Sequence, residues 1–118
     1  MTKIKAFCLE NCFFSENAKL LLNNNNIEFD LVNVKYENKE DYKKLNKMNT
    51  FPQIFLETGN ESLKIGGYDD FNNLVNIINE NKNFDNIYNK LKNKLNFEES
   101  NNEKKNVLRM ISIIKKKK

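Results

Sequence analysis

The sequence predicts an α/β fold: a four-stranded mixed β-sheet flanked by helices, with a C-terminal helical extension. Three observations predict it. A strand, a helix and a second strand follow one another up to Val34, two further strand-like runs flank the turn Glu57-Thr58-Gly59-Asn60, and helical apolar spacing follows the last strand and resumes in the tail.

The first run, KIKAFC from Lys3 to Cys8, alternates Ile4, Ala6 and Cys8 with Lys3, Lys5 and Phe7, the two-residue period of a strand. Phe14, Ala18, Leu21 and Leu22 then fall on one face of a helix that ends near the run Asn23 to Asn26. In IEFDLVNV, Ile27, Phe29 and Leu31 alternate with Glu28 and Asp30, a second strand. Two strands joined through a helix are expected to be parallel. A short second helix spans Lys39 to Met48, with Tyr42 and Leu45 on its apolar side. PQIFL and SLKI read as a hairpin, and Phe71, Leu74, Val75 and Ile78 mark a third helix. The order is βαβ followed by ββα.

A chain of 118 residues holds one domain and a tail. We place the domain at residues 1–81 and a basic helical extension at 82–118. The net charge of +4 lies wholly in that extension: residues 1–81 carry nine Lys against twelve Asp and Glu, a balance of −3, and residues 82–118 carry eleven Lys and Arg against four acids, a balance of +7. Nothing in the first 81 residues suggests a basic groove, so the core domain is not expected to bind nucleic acid. The 24 asparagines and 19 lysines, beside three glycines and one proline, are a compositional bias that makes the Asn23–Asn26 run evidence only of a loop. No 18-residue apolar stretch occurs, and the N-terminus lacks the layout of a secretory signal, so a soluble cytoplasmic protein without a transmembrane segment is expected. Two cysteines do not make a secreted disulfide framework, and with no histidine they cannot complete a four-ligand zinc site.

The remaining chemistry centres on NCFFS, Asn11 to Ser15. Cys12 stands where the first strand gives way to the first helix, at the helix end whose unpaired N–H groups and dipole favour an anion such as a thiolate. The alternative is a small buried core thiol. The only proline, Pro52, opens the apolar run Ile54-Phe55-Leu56; it marks a strand start, and the bond before it is the kind at which a cis peptide is cheap. Gly66 and Gly67 lie between the fourth strand and the third helix, where they permit a tight turn or a close ligand approach. Asp69 and Asp70 then fall in the first turn of that helix, as caps, as ligand contacts, or as both.

NCFFS, TFPQIFL and IGGYDDF, in this order and at these separations, resemble the glutaredoxin family of the thioredoxin fold over residues 3 to about 80. The resemblance implies that Cys12 is the catalytic nucleophile, with Phe13, Phe14 and Ser15 completing the active-site motif and Phe14 as its aromatic flank. It implies that Phe51 and a cis Pro52 present backbone to the cysteinyl part of glutathione, and that Gly67, Asp69 and Asp70 receive its γ-glutamyl end. Ser15 fills the position of the resolving cysteine in dithiol members, which implies a monothiol route acting on glutathione and glutathionylated proteins. Leu9 departs from the family at a position that commonly carries a lysine for the glycyl carboxylate; Lys39 or Lys43 is the candidate replacement. Phe13 departs too, where proline or glycine is usual, and could narrow access to the thiol. Cys8, four residues before Cys12, is either a buried thiol or an unconventional resolving partner.

Two other functions are open within the same fold. Monothiol members often hold a [2Fe-2S] cluster between two subunits, with each nucleophilic cysteine and a glutathione as ligands. That subgroup usually has Cys-Gly-Phe-Ser and an extra loop segment before it, whereas this chain has Phe13 and a short link. A monomer is expected unless a cluster bridges two chains. A non-catalytic glutathione-binding module is the third reading. The arsenate-reductase-like proteins also begin βαβ with a cysteine in this place, but they rely on arginines near the thiol, and Arg109 in the tail is the sole arginine here.

In the extension, Phe84, Ile87, Tyr88, Leu91 and Leu95 form one helical stripe, predicting a helix over Asp85–Leu95 that packs on the domain. A polar, flexible segment, EESNNEKKN, separates it from a second stripe of Val107, Leu108, Ile111 and Ile114. The closing lysines, Lys115 to Lys118, suit a solvated helix end, an anionic membrane surface or nucleic acid.

Overall fold

The computed structural model describes residues 2–59, 61–92 and 103–115. Its elements, in chain order, are β1 (Lys3–Leu9), α1 (Phe13–Asn24), β2 (Phe29–Val34), α2 (Lys39–Asn46), β3 (Gln53–Glu57), β4 (Ser62–Gly66), α3 (Tyr68–Glu80), α4 (Phe84–Leu91) and α5 (Glu103–Lys115). The sheet order is β2-β1-β3-β4. β1 pairs parallel with β2, from Ile4 opposite Phe29 to Leu9 opposite Val34, as a helical crossover requires. It pairs antiparallel with β3, and β3 pairs antiparallel with β4, so the sheet is mixed. This is the thioredoxin fold, with the predicted helical extension in place.

The central strands are covered on both faces, and that explains why β3 is apolar at three successive positions. Ile4, Ala6 and Cys8 of β1 and Ile54 and Leu56 of β3 face one way, packing with Ala18 and Leu22 of α1 and Phe71, Leu74, Val75 and Ile78 of α3. Phe7 and Phe55 face the other way and form a smaller cluster with Val34 and Phe51. There Phe7 meets Phe55 edge-on at 5.9 Å and the α2 residue Tyr42 at 5.6 Å. The extension does not stand apart: Ile87 and Leu91 of α4 and Val107, Met110 and Ile114 of α5 are buried in the larger cluster.

Several apolar faces differ from the sequence expectation by one register step. In α1 the buried positions are Ser15, Ala18 and Leu22, while Phe14 is half exposed and Leu21 only partly covered. β2 is an edge strand, so Leu31 is exposed and its buried residue is Val34. Leu45 of α2 is 69% exposed, because α2 lies over the Phe7 cluster through Tyr42 and the chain returns through Met48. In α5 the buried set is Val107, Met110 and Ile114, at i, i+3 and i+7, and Leu108 is 54% exposed. α5 also starts earlier than expected: Glu103 to Asn106, read from sequence as flexible, are helical. Asn106 is buried there, donating to Glu61 Oε1 at 3.0 Å and accepting from Arg109 at 2.8 Å. Leu95, most of the EESNNEKKN segment and Lys116 to Lys118 lie outside the described residues.

Candidate active site

Central strand β1 ends at Leu9, and three residues, Glu10 to Cys12, carry the chain into α1. Asn11 makes that turn in the left-handed region, φ 55°, a conformation asparagine tolerates better than most residues. Glu10 fastens the turn to the end of β2: its N–H donates to Val34 O at 2.9 Å, and its carboxylate accepts from Tyr36 N at 2.8 Å. Cys12 follows as the N-cap of α1 in extended conformation, and its carbonyl accepts from Glu16 N at 3.0 Å. Its side chain makes no capping hydrogen bond, so the thiol does not engage the first-turn N–H groups of α1. Cys12 is partly buried against the Phe7–Phe51 cluster.

Ser15 has turned inward and is fully buried, its hydroxyl accepting from Leu9 N at 3.1 Å. It ties the first turn of α1 to the end of β1. Cys8 is 1% exposed and sits in the larger cluster on the opposite face from the one Cys12 touches. Burial pushes the Cys8 thiol up to about 11; the Lys19 ammonium lowers it a little, and Glu16 raises it. It is therefore a neutral thiol over the physiological range. Both cysteines are free.

The segment before β3 supplies the second wall. The Phe51–Pro52 peptide is cis, and both residues are buried. Gln53, fully buried, braces the segment from inside: its Nε2 donates to Met48 O at 3.2 Å and its Oε1 accepts from Asn46 Nδ2 at 2.7 Å. The third wall is the β4–α3 junction. Gly66 has φ +130°, and a Cβ there would collide with the Asp70 carboxylate. A Cβ on Gly67 would stand 3.7 Å from Pro52 O, so the junction passes close beside the proline loop. Asp70 Oδ2 accepts from Gly67 N at 3.1 Å and caps α3, and the carboxylates of Asp69 and Asp70 are both exposed. Tyr68 closes the circuit by approaching Phe14 at 6.5 Å between ring centroids.

The structure thus brings the NCFFS turn, the proline loop and the glycine–aspartate junction to one end of the sheet. Leu9 packs into the Phe7–Phe51 cluster. Lys39 holds its ammonium 3.8 Å above the Tyr36 ring, and Lys43 pairs with Glu40 at 3.1 Å. Among the described residues, no group of three or more His, Cys, Asp and Glu side chains is placed to hold a metal ion.

With this geometry in view, comparison with known proteins is informative. The family model Glutaredoxin matches residues 2–60, half of the chain. The chain belongs to the glutaredoxin family. That family consists of thiol–disulfide oxidoreductases, and its matched span carries Cys12 and Pro52. The crystal structure of glutaredoxin 1 from Francisella tularensis, complexed with cacodylate, superposes with a TM-score of 0.55 at 24% identity, covering 69% of this chain and 100% of that one. The likeness is one of fold. No curated protein sequence matches the chain. No helix among the described residues is long and apolar enough to cross a membrane.

Four residues around the thiol of this glutaredoxin carry structural roles that were not assigned from sequence: Glu10, Asn11, the inward-facing Ser15 and Gln53. Two had a signal. Gln53 is a polar residue at the head of an apolar strand buried on both faces, where a polar side chain must be bonded. Asn11 is an asparagine at a strand-to-helix turn. The Glu10 contact spans 26 residues and has no local signature.

Proposed function

We propose that this protein reduces mixed disulfides between glutathione and protein thiols by a monothiol route, with Cys12 as its nucleophile. The observation that carries the reading is the separation of the thiol-turn groups: Cys12 at the helix start without a side-chain cap bond, Ser15 buried and bonded to Leu9 N, Cys8 buried on the other face. In this reading Cys12 is the reacting sulfur, and Cys8, buried in the larger cluster, does not close a disulfide with it.

The chemistry follows from that arrangement. The Cys12 thiolate attacks the glutathione sulfur of the mixed disulfide; the new Cys12–glutathione S–S bond forms as the old one breaks, and the protein thiolate leaves and takes a proton. A second glutathione thiolate then attacks the Cys12-bound sulfur, releasing oxidised glutathione and the Cys12 thiolate. In this reading the backbone of Phe51 beside Pro52 receives the cysteinyl portion of glutathione, Gly67 leaves room for its γ-glutamyl end, and Asp69 with Asp70 contacts the amino group there. Residues 1–81 are the catalytic unit, α4 and α5 of the extension brace it from behind, and the protein works in a reducing, glutathione-containing compartment as a monomer.

The test is reduction of the mixed disulfide between glutathione and 2-mercaptoethanol, coupled to glutathione recycling. Turnover lost in Cys12→Ser supports the reading, and turnover surviving that change sinks it. An anaerobic preparation with iron, sulfide and glutathione is examined alongside by visible absorption. Cluster bands without turnover in the apo protein overturn the oxidoreductase reading in favour of a [2Fe-2S] carrier.

A further inference from the structure

Phe13 and Phe14 are 71% and 52% exposed, and neither belongs to either apolar cluster. Their rings are ordered against each other, edge-on at 5.4 Å and 75°, and Phe14 continues to Tyr68 at 6.5 Å. Tyr68 is itself packed on the larger cluster, so the row is anchored at one end and open at the other. Three aromatic rings therefore run from the start of α3 to the residue immediately after the nucleophile.

Two exposed phenylalanines leave a large apolar area in water that the core does not use. Glutathione does not cover it in the reaction above, because its γ-glutamyl, cysteinyl and glycyl units contain no large apolar side chain. The other half of the mixed disulfide is what remains. A protein cysteine whose glutathione sulfur is reached by Cys12 must bring its own flanking residues to the same turn, against Phe13. Asp69 and Asp70, exposed in the first turn of α3, disfavour an acidic flank there, whereas Glu16 in the first turn of α1 is paired with Lys19 at 3.1 Å.

We propose that Phe13, with Phe14 and Tyr68, is a specificity surface that selects protein substrates bearing a large apolar side chain next to the glutathionylated cysteine. The inference rests on the reaction proposed above. It is tested with two glutathionylated peptides, identical except that the cysteine is flanked by leucines in one and by serines in the other. The native protein should favour the leucine peptide about tenfold in kcat/KM, the usual discrimination an apolar contact supplies. In Phe13→Ser that ratio should fall to twofold or less, and in Phe13→Leu, which keeps an apolar surface, it should largely remain.

A native ratio within twofold, or a ratio unchanged in Phe13→Ser, overturns the specificity surface. So does a native dimer, seen by sedimentation, that becomes monomeric in Phe13→Ser, since a second copy then covers the rings. The small mixed disulfide with 2-mercaptoethanol separates the two levels of argument. If it is reduced while the peptides show no preference, only the surface is wrong; if it is not reduced, the reaction itself is wrong and the surface falls with it.

Discussion

Cys8 and Cys12 are four residues apart, yet they belong to opposite sides of one sheet. The Cys8 side is closed: α1, α3, α4 and α5 cover it, and its residues form the larger apolar cluster. The Cys12 side is thinner, covered by Tyr42 of α2 and by Met48 beyond its end, and it reaches the surface at the helix start. The same functional group is thus a core residue in one place and a candidate nucleophile in the other. Neither local sequence nor thiol chemistry sets that difference; which face is sealed does.

The most direct way to break this comparison is to remove the open thiol. Cys12→Ser should lower kcat/KM for the glutathione mixed disulfide by at least about 10³-fold, as loss of a nucleophile does, whereas Cys8→Ala should stay within about twofold of the native protein. Counting thiols with iodoacetamide checks the same point without an activity assay. One cysteine should react in the folded protein, and the second should become available on unfolding in denaturant. Equal labelling of both in the folded state would remove the distinction between the two sides.

Gln53 offers a second test, because it holds the proline loop of the open side with a fully buried amide. Gln53→Leu fits the strand but leaves Met48 O and the Asn46 amide without their partner, a loss of about 1–3 kcal/mol in stability. Chemical denaturation measures that loss. The loop's position should also slacken, so KM for the mixed disulfide should rise more than kcat falls. A parallel fall in kcat with KM unchanged would show that Gln53 supports the fold without positioning the loop.

Much of this organisation was legible in the sequence because periodicity reports what each element must bury. The order of elements along the chain, the parallel β1–β2 pair, the hairpin, α3 with its Phe71-Leu74-Val75-Ile78 face and the three motif-bearing turns all follow from spacing and turn chemistry. The register of α1 was misjudged for a specific reason: Phe14 is more hydrophobic than Ser15, so spacing favoured it, but Ser15 Oγ bonds to Leu9 N and that bond turns serine inward. Leu31 and Leu45 were read as core since nothing in their neighbourhood shows that β2 is an edge and that α2 covers the sheet with only one side of its length. Glu10 was invisible because its partner is Tyr36, brought there by the fold. Short-range chemistry was readable, and contacts between distant segments were not.

The closed side can be sharpened through pH. In the unfolded chain the Cys8 thiol ionises from about pH 8.5, while in the folded protein burial holds its proton until about 11. Between those values the folded state binds more protons than the unfolded one, so stability falls as pH rises. The contribution is fully present below about pH 8.5 and is lost through the window up to 11. Cys8→Ala should lack this fall, and relative to its own value at pH 8 it should lose about 2 kcal/mol less than the native protein by pH 10.5. Urea midpoints at the two pH values measure it. An identical alkaline loss in both proteins would mean that Cys8 is not sealed.

The substitution with the smallest expected effect, Leu108→Ser, is paired with Met110→Ala to test how far the sealed side extends into α5. Leu108 and Met110 are two positions apart, and hydropathy alone favours Leu108 as the buried one, but the helix buries Met110 and leaves Leu108 54% exposed. Met110→Ala opens a cavity in the larger apolar cluster and should cost about 2–5 kcal/mol, a shift of many degrees in Tm for a chain of this size. Leu108→Ser removes no buried contact and should stay within about 0.5 kcal/mol of the native protein. Differential scanning fluorimetry of the pair decides it. If Leu108→Ser proves as costly as Met110→Ala, then Leu108 is covered in solution and the sealed side continues around α5 to the neighbouring residues Thr2, Arg109 and Ser112.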